Sequence, residues 1–121
     1  MKNILVLDDV LDAAIMIKRI LERQGHEVAV FTEEEEALEF LRAHSVEVAI
    51  LDIRLKKMSG IAMLQELKRV SPHTRVIMLT GYPTLETARQ ARLLGAFDYC
   101  IKPIDKKDLE EKVAQALAAE A

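Results

Sequence analysis

Three aspartates, one threonine and one lysine stand where side chains could do chemistry. Asp8 and Asp9 follow the apolar run Ile4–Leu7, and Asp52 follows a second run ending at Leu51. Thr80 follows a third run and Lys102 a shorter fourth one. Ionised carboxylates that share a site raise one another's pKa, so three together call for a cation. Oxygen donors without a His or Cys cluster suit Mg2+, which keeps several waters and often pairs with phosphate. Taken singly, each residue has an ordinary use. An acid pair solvates a loop or caps a helix, Asp52 caps a turn, Lys102 sits at a surface, and Lys102-Pro103 marks a turn. The functional reading rests on their joint placement.

The elements that must bring them together alternate along the chain. Short aliphatic or β-branched runs at Ile4–Leu7, Glu27–Phe31, Val46–Leu51, Arg75–Leu79 and Asp98–Ile101 read as strands. The first, third and fourth are almost wholly apolar, as expected of parallel strands covered on both faces. Helical spacing fills the intervals: Ile61, Leu64 and Leu67 share a face, as do Ala88, Ala91 and Leu94, and Leu109, Val113, Ala116 and Leu117. The stretch TEEE, Thr32 to Glu35, reads as a capping box with a solvated run of glutamates behind it. Gly25 and Gly95 stand where helices should stop, and Asp105 where the last should start. Five βα units predict an α/β fold: a doubly wound, flavodoxin-like, five-stranded parallel sheet in the order 2-1-3-4-5, with helices on both faces. In such a sheet the functional crevice lies beyond the carboxyl ends of the strands. All five chemical residues fall there.

Composition narrows the setting. At 121 residues, half of them hydrophobic, the chain predicts one globular domain spanning 1–121. A net charge of −3 gives no general attraction to nucleic acid or anionic lipid. Cys100 is the single cysteine, which excludes an internal disulfide and reads as a small core residue. With no signal peptide and no membrane-length apolar stretch, a cytoplasmic location is expected. His26, His44 and His73 show no metal-ligand spacing. AAIMI, residues 13 to 17, is apolar at five successive positions, more than one buried stripe requires.

LVLDDV, AILDIRLKKMSG, VIMLTGY and GAFDYCIKPID, in this order and spacing, resemble the receiver domains of bacterial two-component response regulators. The resemblance runs from Lys2 to about Leu117. It implies that Asp52 is the phosphoacceptor and that Asp9 and Asp52 bind Mg2+ through their side chains. Arg54 would add its backbone carbonyl, with Asp8 acting through water on the ion. Thr80 and Lys102 would each hold a phosphoryl oxygen, and the Lys102-Pro103 peptide would be cis. Tyr99 would be the aromatic that changes rotamer on activation. Lys56 departs from the family's usual Pro and Ser59 from its frequent Asp, which loosens a loop without touching the chemistry. Arg54 and Tyr82 occupy positions like those that tune phosphoryl lifetime.

The implied function is a phosphorylation-controlled switch that catalyses only its own phosphoryl transfer and dephosphorylation. Its phosphodonor would be a histidine kinase or phosphotransfer protein. The face formed by the fourth helix, fifth strand and fifth helix would carry the signal, to a homodimer or another partner, without direct nucleic-acid or membrane contact by this domain. Two alternatives belong to other classes. A haloacid-dehalogenase-type phosphatase also uses a strand-end Asp, Mg2+ and a lysine, but needs an acid where this chain has Arg54, and a cap domain. A degenerate receiver would bind partners without phosphorylation, yet here every acid, Thr80 and Lys102 are retained. The final motif looks most like the receivers of transcription regulators, which suggests a piece of a longer regulator rather than a stand-alone receiver.

Overall fold

The computed structural model describes residues 3–55 and 58–119. Strands and helices alternate as β1 (Asn3–Leu7), α1 (Leu11–Glu22), β2 (Glu27–Phe31), α2 (Glu34–Ala43), β3 (Val48–Leu51), α3 (Gly60–Val70), β4 (Arg75–Thr80), α4 (Leu85–Leu93), β5 (Asp98–Ile101) and α5 (Lys106–Ala118). All strand pairs are parallel, and the sheet order is β2-β1-β3-β4-β5. The chain order reverses between β1 and β3. Register pairs Leu7 with Leu51 and Thr80 with Ile101, so the strands end at a common edge.

Alternation along each strand builds two cores. Leu5, Leu7, Ala49, Leu51, Val76 and Met78 face Leu38, Leu41, Met63, Leu64 and Leu67 of α2 and α3. Their neighbours Ile4, Val6, Val48, Ile50, Ile77 and Leu79 face Ile17 and Leu21 of α1 and Leu109 and Val113 of α5. Each fully buried aliphatic side chain contributes about 1.5–3 kcal/mol, so the two layers hold the strand ends firmly. Cys100 is buried in the second layer. Of AAIMI, Ala14 and Ile17 are buried while Met16 is exposed.

Helix ends follow local chemistry except at the starts of α1, where Val10 makes no side-chain cap, and of α2. Gly25 and Gly95 both have φ of 91°, the left-handed region in which glycine is not strained. Ser59, Thr84 and Asp105 cap α3, α4 and α5, each side chain accepting an amide from three residues on. The expected capping box at Thr32–Glu35 does not form. Glu33 occupies the cap position of α2 without a side-chain capping bond, because the helix begins one residue later than the motif requires. The glutamate run is not uniformly solvated either. Glu34 is fully buried in the first turn, where the helix dipole favours a carboxylate. Val46 and Glu47 precede β3 rather than opening it, although Val46 is fully buried. Among the described residues no helix is long and apolar enough to cross a membrane.

Candidate functional site

The strand ends bring the sequence-selected side chains to one place. Carboxylate oxygens of Asp8, Asp9 and Asp52 all lie within 4.8 Å of one another. Asp8 and Asp52 are buried, while Asp9 is half-buried. Lys102 reaches in from the end of β5. Its Nζ donates to Asp8 Oδ2 at 2.7 Å and to Asp52 Oδ2 at 3.1 Å. The Lys102–Pro103 peptide bond is cis.

Backbone amides position the acids and the hydroxyl. Val10 N–H donates to Asp8 Oδ1 at 2.9 Å, and Arg54 N–H to Asp52 Oδ1 at 3.1 Å. Tyr82 N–H donates to Thr80 Oγ1 at 3.0 Å. Each is an i to i+2 bond in which a strand-end side chain organises the loop that follows it. Lys102 N–H also donates to the Thr80 carbonyl at 2.7 Å, tying the last strand to its neighbour. The Thr80 side chain is fully buried.

The electrostatics are unbalanced. Burial lifts the Asp52 carboxyl above its ordinary range, against the downward pull of the Arg54 amide and the Lys102 ammonium, and Asp8 adds to the rise. Burial also works against the Lys102 charge, but its hydrogen bonds to Asp8 and Asp52 outweigh this and hold its pKa above the usual lysine value. Three carboxylates thus face one ammonium. An all-oxygen donor set with excess negative charge fits a hard divalent cation.

Several determinants escaped the sequence reading. Gly60 opens α3 directly against the Asp52 loop: its N–H donates to the Ile53 carbonyl at 2.6 Å, and a Cβ there would lie 2.1 Å from the Asp52 carbonyl oxygen and 2.5 Å from Ile53 Cα. The SG pair of the motif was its only sequence signal. The guanidinium of Arg54 lies over the Tyr82 ring, 3.7 Å from its centroid. Arg54 therefore offers a stacked cation where a haloacid-dehalogenase-type phosphatase would need an acid. Its backbone also pairs with Ser59 in an isolated antiparallel bridge. Ser59 itself, where Asp is frequent, caps α3 by accepting from Ala62 N–H at 3.1 Å. Lys56, the position read as loosening this loop, lies outside the described residues.

Tyr99 stands away from the carboxylates, in register with Met78 and packed on the α2–α3 side of the sheet. Its hydroxyl is 2.7 Å from Thr87 Oγ1. The structure thus gathers Asp8, Asp9, Asp52 and Lys102 into direct contact range. It places Thr80 on the adjoining strand end, Arg54 in the loop beside it, and Tyr99 one strand further out.

Residues 4–114 match the family model described as the response regulator receiver domain. The chain is 36% identical over 116 residues to the transcriptional regulatory protein ZraR of Escherichia coli, covering 96% of this chain and 26% of that protein. It therefore spans about a quarter of the length of ZraR and of the regulatory protein AtoC of Escherichia coli. A CheY-like receiver domain protein from Methanospirillum hungatei superimposes with a TM-score of 0.93 at 33% identity, covering 97% of this chain and 94% of that one. A response regulator from Burkholderia pseudomallei, solved with a phosphorylated aspartic acid and a calcium ion, gives 0.85 at 32%, covering 100% and 76%. With its parallel βα sheet and its acids at the strand ends, the chain belongs to the receiver domains of two-component response regulators.

Proposed function

We propose that residues 1–121 act as one phosphorylation-controlled receiver in the cytoplasm, with Asp52 as the phosphoacceptor. The observation that carries this reading is the placement of Asp52: a buried carboxylate held by the Arg54 amide on one oxygen and the Lys102 ammonium on the other. That geometry fixes a nucleophile without neutralising it fully. Phosphoryl transfer depends mainly on such positioning and on charge compensation. In the reaction an Asp52 oxygen forms the new bond to phosphorus as the bond to a phosphohistidine nitrogen of a kinase or phosphotransfer protein breaks.

Asp8, Asp9, the Asp52 side chain and the Arg54 carbonyl would hold Mg2+. When bound, that ion offsets the negative charge of the carboxylates and of the transferred group. Lys102, released from Asp8, then pairs with a phosphoryl oxygen, and Thr80 donates its hydroxyl hydrogen to another. The domain catalyses only its own phosphoryl transfer and its dephosphorylation, in which water takes the phosphoryl group and Asp52 leaves as the carboxylate. Tyr99 turns inward as Thr80 moves, and the face of α4, β5 and α5 passes the signal on. Leu85, Leu93 and Ile101 leave that face apolar, being 92%, 78% and 56% exposed. A second copy of the chain or an output partner would cover them, without direct nucleic-acid or membrane contact by this domain.

Acetyl phosphate with Mg2+ should label the protein to near one phosphoryl group per chain. Asp52→Asn and chelation should each remove the label, and Asp9→Asn should weaken metal binding more than Asp8→Asn. Stoichiometric labelling of Asp52→Asn would refute the assignment.

A further inference from the structure

The Tyr99 hydroxyl closes a ring with the amino end of α4. Thr84 N–H donates to the Tyr99 hydroxyl at 3.4 Å, and that hydroxyl lies 2.7 Å from Thr87 Oγ1. Thr87 Oγ1 in turn lies 2.8 Å from Thr84 Oγ1 and 3.2 Å from the Thr84 carbonyl. The Thr84 carbonyl can only accept, so the Thr87 hydroxyl donates to Thr84 and must accept from the phenol. The phenol accepts from Thr84 N–H and gives its proton to Thr87, and the Thr87 hydroxyl gives its own back to Thr84. The Thr84 side chain meanwhile caps the helix by accepting from Thr87 N–H at 3.0 Å. One phenol is thus bonded to both residues that define the first turn of α4.

We propose that this ring of Thr84, Thr87 and Tyr99 is an inhibitory latch, which holds the phenol outward against α4 and sets how much of the unphosphorylated chain occupies the active arrangement. It rests on the reading above, in which Tyr99 turns inward on activation. That turn must break the bonds to Thr84 N–H and Thr87 Oγ1 together, and an equilibrium shifts only by the difference in contacts between its two states. The latch is also joined to the site by a short path. Thr80, whose hydroxyl accepts from Tyr82 N–H, precedes the Thr84 cap by four residues in one loop. Movement of Thr80 toward a phosphoryl group shifts the acceptor of the Tyr82 amide and with it the loop that presents Thr84 to the phenol.

The test uses the unphosphorylated chain and amide chemical shifts of residues 84 to 105, with beryllofluoride and Mg2+ defining the active end point. Thr87→Val removes the ring hydroxyl at nearly constant shape, and Tyr99→Phe removes the phenol oxygen. Each should move the free protein's shifts along the line toward the wild-type end point, raising the active-to-inactive ratio about five-fold, the effect of one ordinary hydrogen bond. Thr87→Ser keeps the hydroxyl and should stay at the wild-type position. The double variant should move no further than Tyr99→Phe, which already removes both of the phenol's bonds. Free-state shifts of Thr87→Val and Tyr99→Phe that match wild type, while wild type still responds to beryllofluoride, would overturn the latch alone. A wild-type protein that shows no response in residues 84 to 105 would overturn the latch together with the reading beneath it.

Discussion

The Arg54 guanidinium stacks on the Tyr82 ring, while the backbone amides of the same two residues hold Asp52 and Thr80. Two loops that leave different strands are therefore each organised by their own strand-end side chain and joined to one another by the Arg54–Tyr82 stack. The stack spans the loops that follow Asp52 and Thr80. Tyr82→Ala or Arg54→Ala should speed decay of the labelled protein about two- to five-fold, in proportion to an exposed cation–π contact. The double variant should decay no faster than the single ones. Additive rates, measured by loss of label after removal of phosphodonor, would show that the two side chains act separately.

Lys102→Ala should separate metal binding from response. The ammonium bonds two of the three carboxylates, so its loss leaves Asp8 and Asp52 facing each other. Thermal unfolding in chelator should show a loss of about 1–3 kcal/mol, since a charge-assisted bond is removed and its partners stay partly buried. Mg2+ should restore most of it, with an affinity equal to or above that of wild type. Failure to bind Mg2+ would make Lys102 a structural support of the metal site.

Asp52 gives the pH dependence a definite sign. Its folded pKa is raised, chiefly by burial. The group's contribution is thus fully present below the unfolded carboxyl pKa and is lost as pH rises through the folded one. Asp52→Asn, which cannot ionise, should be the more stable protein at neutral pH in chelator. The difference should shrink as pH falls below the unfolded carboxylate range. Lys102 has a raised pKa as well, so its own contribution persists through neutral pH and fades only above the ordinary lysine range. Chemical unfolding at a series of pH values checks both, and a less stable Asp52→Asn at neutral pH would contradict the sign.

Gly60→Ala should damage the fold and the site together. The new methyl would meet backbone, the Asp52 carbonyl and Ile53 Cα, rather than a side chain that can swing away. Overpacking of this kind costs about 1–3 kcal/mol or more. The displaced loop carries Asp52, so labelling by acetyl phosphate should slow even at temperatures where the variant is fully folded. An Ala variant that labels at the wild-type rate would show that α3 can shift without moving the nucleophile.

The order of elements and the positions of Asp8, Asp9, Asp52 and Lys102 were legible because strand parity and strand ends are local properties. A buried parallel strand announces itself as a continuous apolar run, and the acid that follows has one place to go. Pairings between loops were not legible. Nothing adjacent to Arg54 in the chain indicates Tyr82, and nothing near Tyr99 indicates Thr87. The capping box failed for a related reason. TEEE has the right letters, but α2 starts at Glu34, three residues after β2 ends at Phe31, in the phase that turns Leu38 and Leu41 to the core. Tertiary placement outweighs the cap, which contributes only about 1 kcal/mol. Glu34, read as solvated, was drawn inward by the same placement.

The chain contains no tryptophan and only two tyrosines. One is stacked beneath the Arg54 guanidinium, and the other shares its hydroxyl with Thr87. The near-ultraviolet absorption and fluorescence of this protein therefore arise chiefly from one side chain in the loop after Thr80 and one on the β5 strand against α4. Each phenol would report a different event: Tyr82 the parting of its stack with Arg54, Tyr99 the exchange of hydroxyl partner proposed above. Replacing either by phenylalanine leaves a single emitter. The unmodified protein is its own optical gauge, and both events can be timed in a stopped-flow cuvette without attaching a dye.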